Sequence, residues 1–222
     1  MPNTRTERQW IKEYKERGIL LLHNGKDPES PHALLTSGNH SNGYFDTPPL
    51  LDNKRLLHQA ASALIDHYLL AGGNIEVIDR VVGPKTGGAK LAKALAKEIA
   101  LRRGRPCKWG VVTKYADDES KLMLFDEPEL AVTPGEVVLV CDDVFTTGGS
   151  VGLTIDAVER ARSGVVFIIC VLVNRFGQHY FQKHEVVALI NKQMPVWAPA
   201  DCPLCKLGST AVKQRRKANA IP

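Results

Sequence analysis

Residues 137–151 read VVLVCDDVFTTGGSV, and this stretch decides the fold that the sequence predicts. An apolar run typical of a buried strand leads into two adjacent carboxylates, Asp142 and Asp143. Threonines and glycines follow, and a helix-like pattern begins at Ser150. Because a strand that turns straight into a helix is the repeating unit of a covered parallel sheet, the stretch favours an α/β fold.

The same alternation of strands and helices continues on both sides of this stretch. Strands are predicted over residues 77–82, 108–114, 136–141 and 165–173, and helices over residues 6–17, 54–70, 89–102 and 150–162. Weaker patterns predict a hairpin from residues 122–125 and 129–132, short strands at 189–190 and 196–197, and a peripheral segment after 200. The predicted fold class is therefore α/β, with a parallel central sheet flanked by helices.

The composition is that of an ordinary globular domain. The 222 residues are 44% hydrophobic and 24% charged, and the formal net charge is +5. The longest apolar run, 165–173, is too short to cross a bilayer, and the N-terminus lacks the apolar segment of a secretory signal, so we expect a cytoplasmic protein without a membrane partner. The basic run KQRRK at 213–217 is interpreted as a solvated tail, which makes a nucleic-acid partner unlikely.

The five cysteines favour a reducing compartment, because an odd number without a signal peptide does not suit a disulfide framework. Cys202 and Cys205 form the pattern C-P-L-C, which is half of a zinc site. No second cysteine pair accompanies it, and no histidine follows it at ligand spacing. The sequence therefore predicts thiols that bind no metal.

The residues after the two acids have the character of an anion site. Small residues let backbone N–H groups approach an anion, and the hydroxyls of Thr146, Thr147 and Ser150 add donors. The acids themselves would repel a phosphate, so they require a neutral or cationic partner such as vicinal sugar hydroxyls. A sugar phosphate is the ligand that fits both the anion site and the two acids. The simpler interpretation is a glycine-rich turn with an aspartate cap.

In this context residues 137–151 resemble the phosphoribosyl-pyrophosphate (PRPP) signature of the type I phosphoribosyltransferase family. The resemblance implies a parallel-sheet core, a PRPP donor bound with Mg²⁺, and a small N-terminal hood over the base. It implies that Asp142 and Asp143 hold the ribose hydroxyls and that residues 146–150 hold the 5′-phosphate. The PRPP-binding residues implied by the motifs are Asp142, Asp143, Val144, Phe145, Thr146, Thr147, Gly148, Gly149, Ser150, Lys85, Thr86 and Gly87.

Three further stretches resemble the orotate phosphoribosyltransferases of that family. They are LTSG at 35–38 with Ser41 and the run YFD at 44–46, VGPKTGG at 82–88, and Asn174-Arg175. The resemblance implies catalytic roles for Asp142, Asp143, Lys85 and Lys114, and a base site of Ser37, Tyr44, Phe45, Thr146 and Arg175. It also implies a hood of about residues 1–53 plus the C-terminal segment, a core of about 54–175, and a homodimer.

The sequence departs from the family pattern in two places, and these leave alternatives open. Thr36 stands where the family usually has lysine, and residues 113–120 are acidic where a basic catalytic loop is usual. Only Lys114 matches in that loop, and Lys121 is a candidate to take the place of the missing lysine. A PRPP-binding regulator or weakened homologue is one alternative. A purine-type transferase is another, because Phe176 follows Arg175 and offers a ring for stacking.

Overall fold

The computed structural model describes residues 5–115 and 122–213. Its helices are α1 Glu7–Glu16, α2 Pro48–Leu51, α3 Lys54–Leu70, α4 Gly87–Arg103, α5 Gly149–Arg160 and α6 Pro203–Lys206. Its strands are β1 Leu20–Leu22, β2 His32–Leu34, β3 His40–Ser41, β4 Gly43–Phe45, β5 Arg80–Pro84, β6 Lys108–Lys114, β7 Met123–Leu124, β8 Val137–Phe145, β9 Gly164–Val165, β10 Ile168–Asn174, β11 Tyr180–Phe181, β12 His184–Asn191, β13 Val196–Trp197 and β14 Ala211–Lys213.

The central sheet is mostly parallel, as predicted. Its strands lie in the order β11-β12-β10-β8-β5-β6-β7, with β9 beside β8. The strands β12, β10, β8, β5 and β6 pair in parallel, whereas the short outer strands β7 and β11 pair antiparallel. The sheet therefore continues beyond residue 175 to β12, and the carboxyl ends of its inner strands meet at one edge.

Helices cover both faces of this sheet, which explains the long apolar runs. Leu139 and Cys141 pack with residues of α3 and α4, whereas the alternate residues Val138 and Val140 pack with residues of α5. Successive side chains of a strand point to opposite faces, so a strand buried on both sides is apolar throughout.

The helix ends follow local sequence signals. Thr6 caps α1 in a capping box with Gln9, and Gly104 ends α4 in the left-handed conformation, with φ 69°. The predicted helix 54–70 is confirmed residue for residue as α3. None of the helices in the described part of the chain has the length and apolar character needed to span a membrane.

Three sequence predictions about strands need correction. The predicted hairpin over 122–132 is wrong, because Met123–Leu124 pairs with β6 and residues 128–130 form a short 3₁₀ turn that begins at a proline. The predicted strand 165–173 is divided into β9 and β10. Strand β8 continues to Phe145, so the two acids lie within the last residues of the strand and not after it.

A second, smaller sheet joins the two ends of the chain, and we call it the hood sheet. Its order is β13-β3-β2-β14, and β14 pairs in parallel with β2. The prediction that residues after 200 are peripheral is therefore wrong for 211–213, which pair with residues 32–34. The pairing joins segments far apart in sequence, and no local pattern signals it.

Candidate active site

The two carboxylates near the end of β8 lie side by side. Asp142 is buried, with 6% of its surface exposed. The backbone N–H of Asp143 donates to Asp142 Oδ1 over 2.8 Å, and the N–H of Val144 donates to Asp143 Oδ1 over 3.1 Å. Burial, and then the neighbouring Asp143, raise the pKa of Asp142 well above its usual range. A polar or cationic ligand that reached this carboxylate would relieve that unfavourable charge.

The turn after β5 packs directly against these carboxylates. A Cβ at Gly87 would collide with the Asp143 carboxylate, and a Cβ at Gly88 would lie 3.2 Å from Asp142 Oδ1. A Cβ at Gly83 would collide with the carbonyl oxygen of Gly88. The glycines of GPKTGG are therefore required by close backbone approach, and the two predicted loops form one site.

The residues after β8 form an open turn, which we call the cradle. Gly148 precedes α5 with φ 81°, and no side chain caps the first turn of this 12-residue helix. Its free N–H groups and the positive end of its dipole favour an anion. A side chain at Gly148 would strike the ring of Phe181, so glycine is needed for both conformation and space.

A cavity of about 400 Å³ lies beside this cradle. It is lined by Thr146, Thr147, Arg175, Phe176, Gln178, Gln193, Met194, Pro195 and Val196. The first three were predicted from the sequence as site residues. The Gln193–Val196 wall was missed, because it belongs to a turn before β13 whose sequence carries no recognisable motif.

Arg175 is the cationic group of this cavity. Its Nε atom is buried and has no hydrogen-bond partner among residues 5–115 and 122–213, while Nη2 makes one long contact of 3.5 Å to the carbonyl of Met194. Burial lowers the pKa of Arg175, and Tyr44 offsets part of this effect. A partly buried guanidinium with no carboxylate partner in the described part of the chain is costly, so this geometry fits an anionic ligand.

The turn that carries Arg175 is held in place by its neighbours. Asn174 is fully buried, and its Oδ1 accepts the N–H groups of Phe176 and Gly177 over 3.1 and 3.2 Å. The N–H of Arg175 donates to the carbonyl of Phe145 over 2.8 Å. The cradle after β8 and the turn after β10 are thus joined by a direct hydrogen bond.

Aromatic packing reinforces this junction. The ring of Phe145 is buried and meets the rings of Phe176 and Phe181 edge to face, with centroids 5.9 and 5.3 Å apart. Phe145 was predicted among the PRPP-binding residues, but its side chain belongs to the core. Phe176, which the sequence offered as a stacking ring for a purine, both packs on Phe145 and lines the cavity.

The predicted base-site residues of the hood do not all gather at the cavity. Phe45 is a correction: it is buried in the core, 5.4 Å from the ring of Tyr14, because adjacent residues of β4 face opposite sides. Its neighbour Tyr44 lies near Arg175. Ser37 is exposed on the loop between β2 and β3 and is absent from the cavity lining.

The predicted catalytic lysines lie at the carboxyl ends of neighbouring strands. Lys85 follows β5, and its Nζ is 3.8 Å from Glu127 in a half-exposed ion pair. Lys114 is the exposed last residue of β6. Residues 116–121, which include Lys121 and most of the acidic loop, and residues 214–217 of the basic run lie outside the described residues.

Comparisons with known proteins agree on one family. Residues 49–204 match the model of the phosphoribosyl transferase domain. A curated orotate phosphoribosyltransferase from Heliobacterium modesticaldum is 34% identical over 188 residues, 82% of this chain and 87% of that protein. The enzyme of the same name from Pelotomaculum thermopropionicum is 35% identical over 184 residues, 83% of this chain and 88% of that protein.

A solved structure supports the same relationship. The crystal structure of orotate phosphoribosyltransferase from Aeropyrum pernix superposes with a TM-score of 0.56 at 27% identity. The match covers 81% of this chain and 92% of that chain. The relationship therefore extends over most of the chain, well beyond the short motif of 137–151.

Proposed function

Because this chain belongs to the type I phosphoribosyltransferase family, we propose that it transfers the ribose 5-phosphate of PRPP to orotate and releases pyrophosphate. This is a step of pyrimidine nucleotide biosynthesis. The observation that carries the choice of base is the buried, unpartnered Nε of Arg175 in the cavity beside the PRPP cradle. Orotate is a pyrimidine that bears a carboxylate, and a guanidinium presents a planar fork that matches a carboxylate.

In the proposed reaction a ring nitrogen of orotate loses its proton to solvent and forms a bond to C1 of the ribose. The bond from C1 to the pyrophosphate oxygen breaks, and its electron pair stays on that oxygen. Positive charge develops on the sugar, as in other glycosyl transfers. Asp142 and Asp143 accept hydrogen bonds from the ribose hydroxyls and place negative charge below that centre. The loop 146–150 holds the 5′-phosphate, and the first turn of α5 supplies N–H donors.

The turn at Lys85, Thr86 and Gly87 is proposed to hold the pyrophosphate. Lys85 is half-exposed in its ion pair with Glu127, so it is available to exchange that carboxylate for a phosphate oxygen. Lys114 lies at the adjacent strand end and is proposed to act on the same leaving group. Such preorganised cations contribute because charge builds up on the pyrophosphate as the bond breaks.

A divalent cation fits this arrangement, and we propose Mg²⁺. Two carboxylates pack against the turn proposed to bind pyrophosphate, so a cation is needed to separate like charges. Mg²⁺ keeps several waters and takes oxygens of its substrate, and Asp142 and Asp143 can accept hydrogen bonds from those waters. When bound, the ion would neutralise charge on the leaving pyrophosphate.

The test is pyrophosphate release with PRPP, Mg²⁺ and a panel of bases: orotate, uracil, adenine and hypoxanthine. We expect release with orotate. Replacing Arg175 with Gln should raise the KM for orotate about 10–100-fold, because a charge-assisted hydrogen bond contributes about 1.5–3 kcal/mol. The KM for PRPP should stay within about two-fold. The control is Arg17→Gln, which removes a cation from the surface of α1.

Each of the other outcomes would support one alternative or contradict the proposal. Release with a purine and not with orotate would support the purine-type transferase, with Phe176 as the stacking ring. PRPP binding without release for any base would support the regulator. No PRPP binding by calorimetry would contradict the proposal as a whole.

The remaining proposals concern assembly and location. The family resemblance implies a homodimer. We therefore propose a homodimer in the cytoplasm, with PRPP and orotate as its small-molecule partners. Sedimentation velocity tests the first proposal, since a sedimenting species of one chain would contradict it.

A further inference from the structure

A second cluster of potential ligands lies in the hood sheet, away from the cavity. His32, His40, Cys202 and Cys205 each present one ligand atom, and these four atoms all lie within 4.8 Å of one another. The sequence suggested no metal here because no histidine follows the cysteine pair. The fold supplies both histidines from strands that precede the pair by more than 160 residues.

The distances between the ligand atoms match a tetrahedral site. Cys202 Sγ and Cys205 Sγ each lie 3.5 Å from His32 Nε2, and Cys205 Sγ lies 3.3 Å from His40 Nδ1. The two ring nitrogens are 3.2 Å apart. Bond lengths of about 2.3 Å to sulfur and about 2.0–2.1 Å to nitrogen give tetrahedral edges of about 3.3 Å between two nitrogens, about 3.5 Å between nitrogen and sulfur, and about 3.8 Å between two sulfurs. The four nitrogen–nitrogen and nitrogen–sulfur distances given above thus lie within about 0.3 Å of the edges that one central ion requires.

A hydrogen-bond relay orients His32 for such a role. Ser209 Oγ donates to the carbonyl oxygen of Ser30 over 2.6 Å. Its proton is therefore committed, and Ser209 must accept the N–H of His32 Nδ1, which is 2.7 Å away. The lone pair of His32 is then on Nε2, the atom that faces the two sulfurs. Metal-binding histidines usually have their other nitrogen held in this way.

From this geometry we propose that His32, His40, Cys202 and Cys205 bind one structural Zn²⁺ ion. Two imidazoles and two thiolates are a ligand set that Zn²⁺ prefers, and four protein ligands leave no open position for catalysis. Two thiolates balance the charge of the ion, which suits the full burial of His32 and Cys202. The exposed Cys205 gives the ion an entry path.

The site would fasten the hood sheet at its centre. His32 lies on β2 opposite Ala211 of β14, and His40 lies on β3 opposite Trp197 of β13. The cysteine pair lies between β13 and β14 in sequence. The ion would therefore hold both strands against the hairpin that carries residues 35–39. Because Val196 lines the cavity, the ion would also fix one of its walls.

The first experiment is metal analysis of the untagged full-length protein by inductively coupled plasma mass spectrometry. We expect one zinc per chain. The double variant Cys202→Ser with Cys205→Ser should lose it, whereas Cys107→Ser should retain it. Cys107 is a matched control, because it is a free thiol of intermediate exposure outside the cluster.

A second measurement does not depend on the folding of a variant. Zinc is removed from the wild-type protein with a chelator and replaced with Co²⁺. The expected spectrum has the visible bands of tetrahedral cobalt and a thiolate charge-transfer band, with saturation at one equivalent. The melting temperature should fall on removal of the metal and return on refilling, because a metal that binds only the folded state stabilises it.

The relay gives a finer test. Replacing Ser209 with Ala should weaken zinc binding about 10–100-fold in competition with a coloured chelator, and Ser209→Thr should restore it. Ser163→Ala is the control, since Ser163 also is a buried serine that donates to a backbone carbonyl. Purified, refilled wild-type protein without bound metal, a Cys202–Cys205 disulfide found by mass spectrometry, or undiminished zinc in the cysteine double variant would each overturn the proposal.

Discussion

The two ends of the same three strands carry opposite arrangements of charge. Where β5, β6 and β8 begin, Arg80 and Lys108 both bind Glu136, over 2.7 and 2.9 Å. Where β5 and β8 end, Asp142 and Asp143 lie together, and no cation of residues 5–115 or 122–213 forms an ion pair with them. The first arrangement stabilises the fold, whereas the second presents two carboxylates to a ligand.

The pKa shifts of the two ends have opposite directions. Burial tends to raise the pKa of Glu136, but hydrogen bonds from Arg80, Lys108 and the N–H of Thr133 lower it to about 2. The pKa of Asp142 is raised because burial and Asp143 both act against its charge. Both acids are buried, so burial alone does not identify a functional site. An acid that is buried without a counter-charge points to a function.

The largest effect is expected from removing the charge of both acids at the carboxyl end. With Asp142→Asn and Asp143→Asn together, kcat/KM for PRPP should fall about 10²–10⁴-fold, because two charge-assisted hydrogen bonds of about 1.5–3 kcal/mol are lost. The melting temperature of the ligand-free protein should not fall. The control is Asp156→Asn on the exposed face of α5. A fall in melting temperature that accompanies the loss of activity would show that these acids, like Glu136, stabilise the fold.

The corresponding change at the amino end is Glu136→Gln. It leaves the buried Arg80 without its counter-charge, so stability should fall by about 3–5 kcal/mol. At about 2–4 °C per kcal/mol the melting temperature should fall by about 6–20 °C, while kcat of the folded protein stays unchanged. Glu76→Gln breaks an exposed pair with Arg105 and should cost less than about 1 kcal/mol. A selective loss of kcat in Glu136→Gln would contradict the division between the two ends.

A smaller effect is expected from a single added methyl group at the turn after β5. Gly87→Ala directs its Cβ into the Asp143 carboxylate, and such overpacking costs about 1–3 kcal/mol. The affinity for PRPP should fall about 5–100-fold, as measured by calorimetry. Gly164→Ala is the control, since its Cβ would meet no atom within 4 Å. Unchanged affinity for PRPP in Gly87→Ala would contradict the inference that the loops after β5 and β8 form one site.

The smallest expected effect concerns the stability of the ligand-free protein, which should depend on pH in opposite directions through Glu136 and Asp142. The folded pKa of Glu136 is lowered, so its contribution is present above about pH 4.5 and is lost as the pH falls toward about 2. The folded pKa of Asp142 is raised, so its contribution is present at low pH and is lost as the pH rises through the raised value.

Melting temperatures of three proteins measure this difference. The deficit of Glu136→Gln relative to wild type should shrink as the pH falls from about 4.5 to about 2. Any advantage of Asp142→Asn over wild type should grow as the pH rises above the usual range of an aspartate. Parallel curves for all three proteins would contradict the assigned directions.

Sequence patterns predicted what is local in this molecule. Helix α3 and strand β6 match their predictions residue for residue, because periodicity and flanking glycines mark such elements within one window. The contact between the two loops could also be anticipated, since parallel strands bring their carboxyl ends to one edge.

What the sequence could not predict depends on contacts between distant segments. Nothing near residue 32 signals its pairing with residue 211, and the histidines at 32 and 40 show no ligand spacing to the cysteine pair. Phe45 was misassigned because its face of β4 is decided by pairing with Leu20. The acids of β8 were placed after the strand because charge is rare inside a buried strand, and here function overrides that rule.

The parallel pairing of β2 with β14 has a consequence for biosynthesis. During translation at about 5–20 residues per second, β2 waits about 10–35 s before residues 211–213 are made. Throughout that interval the nascent chain carries an unpaired strand edge, which is a template for association with other chains. The ribosome-bound chain therefore carries an edge that can associate with other chains at β2 until its C-terminal segment is made.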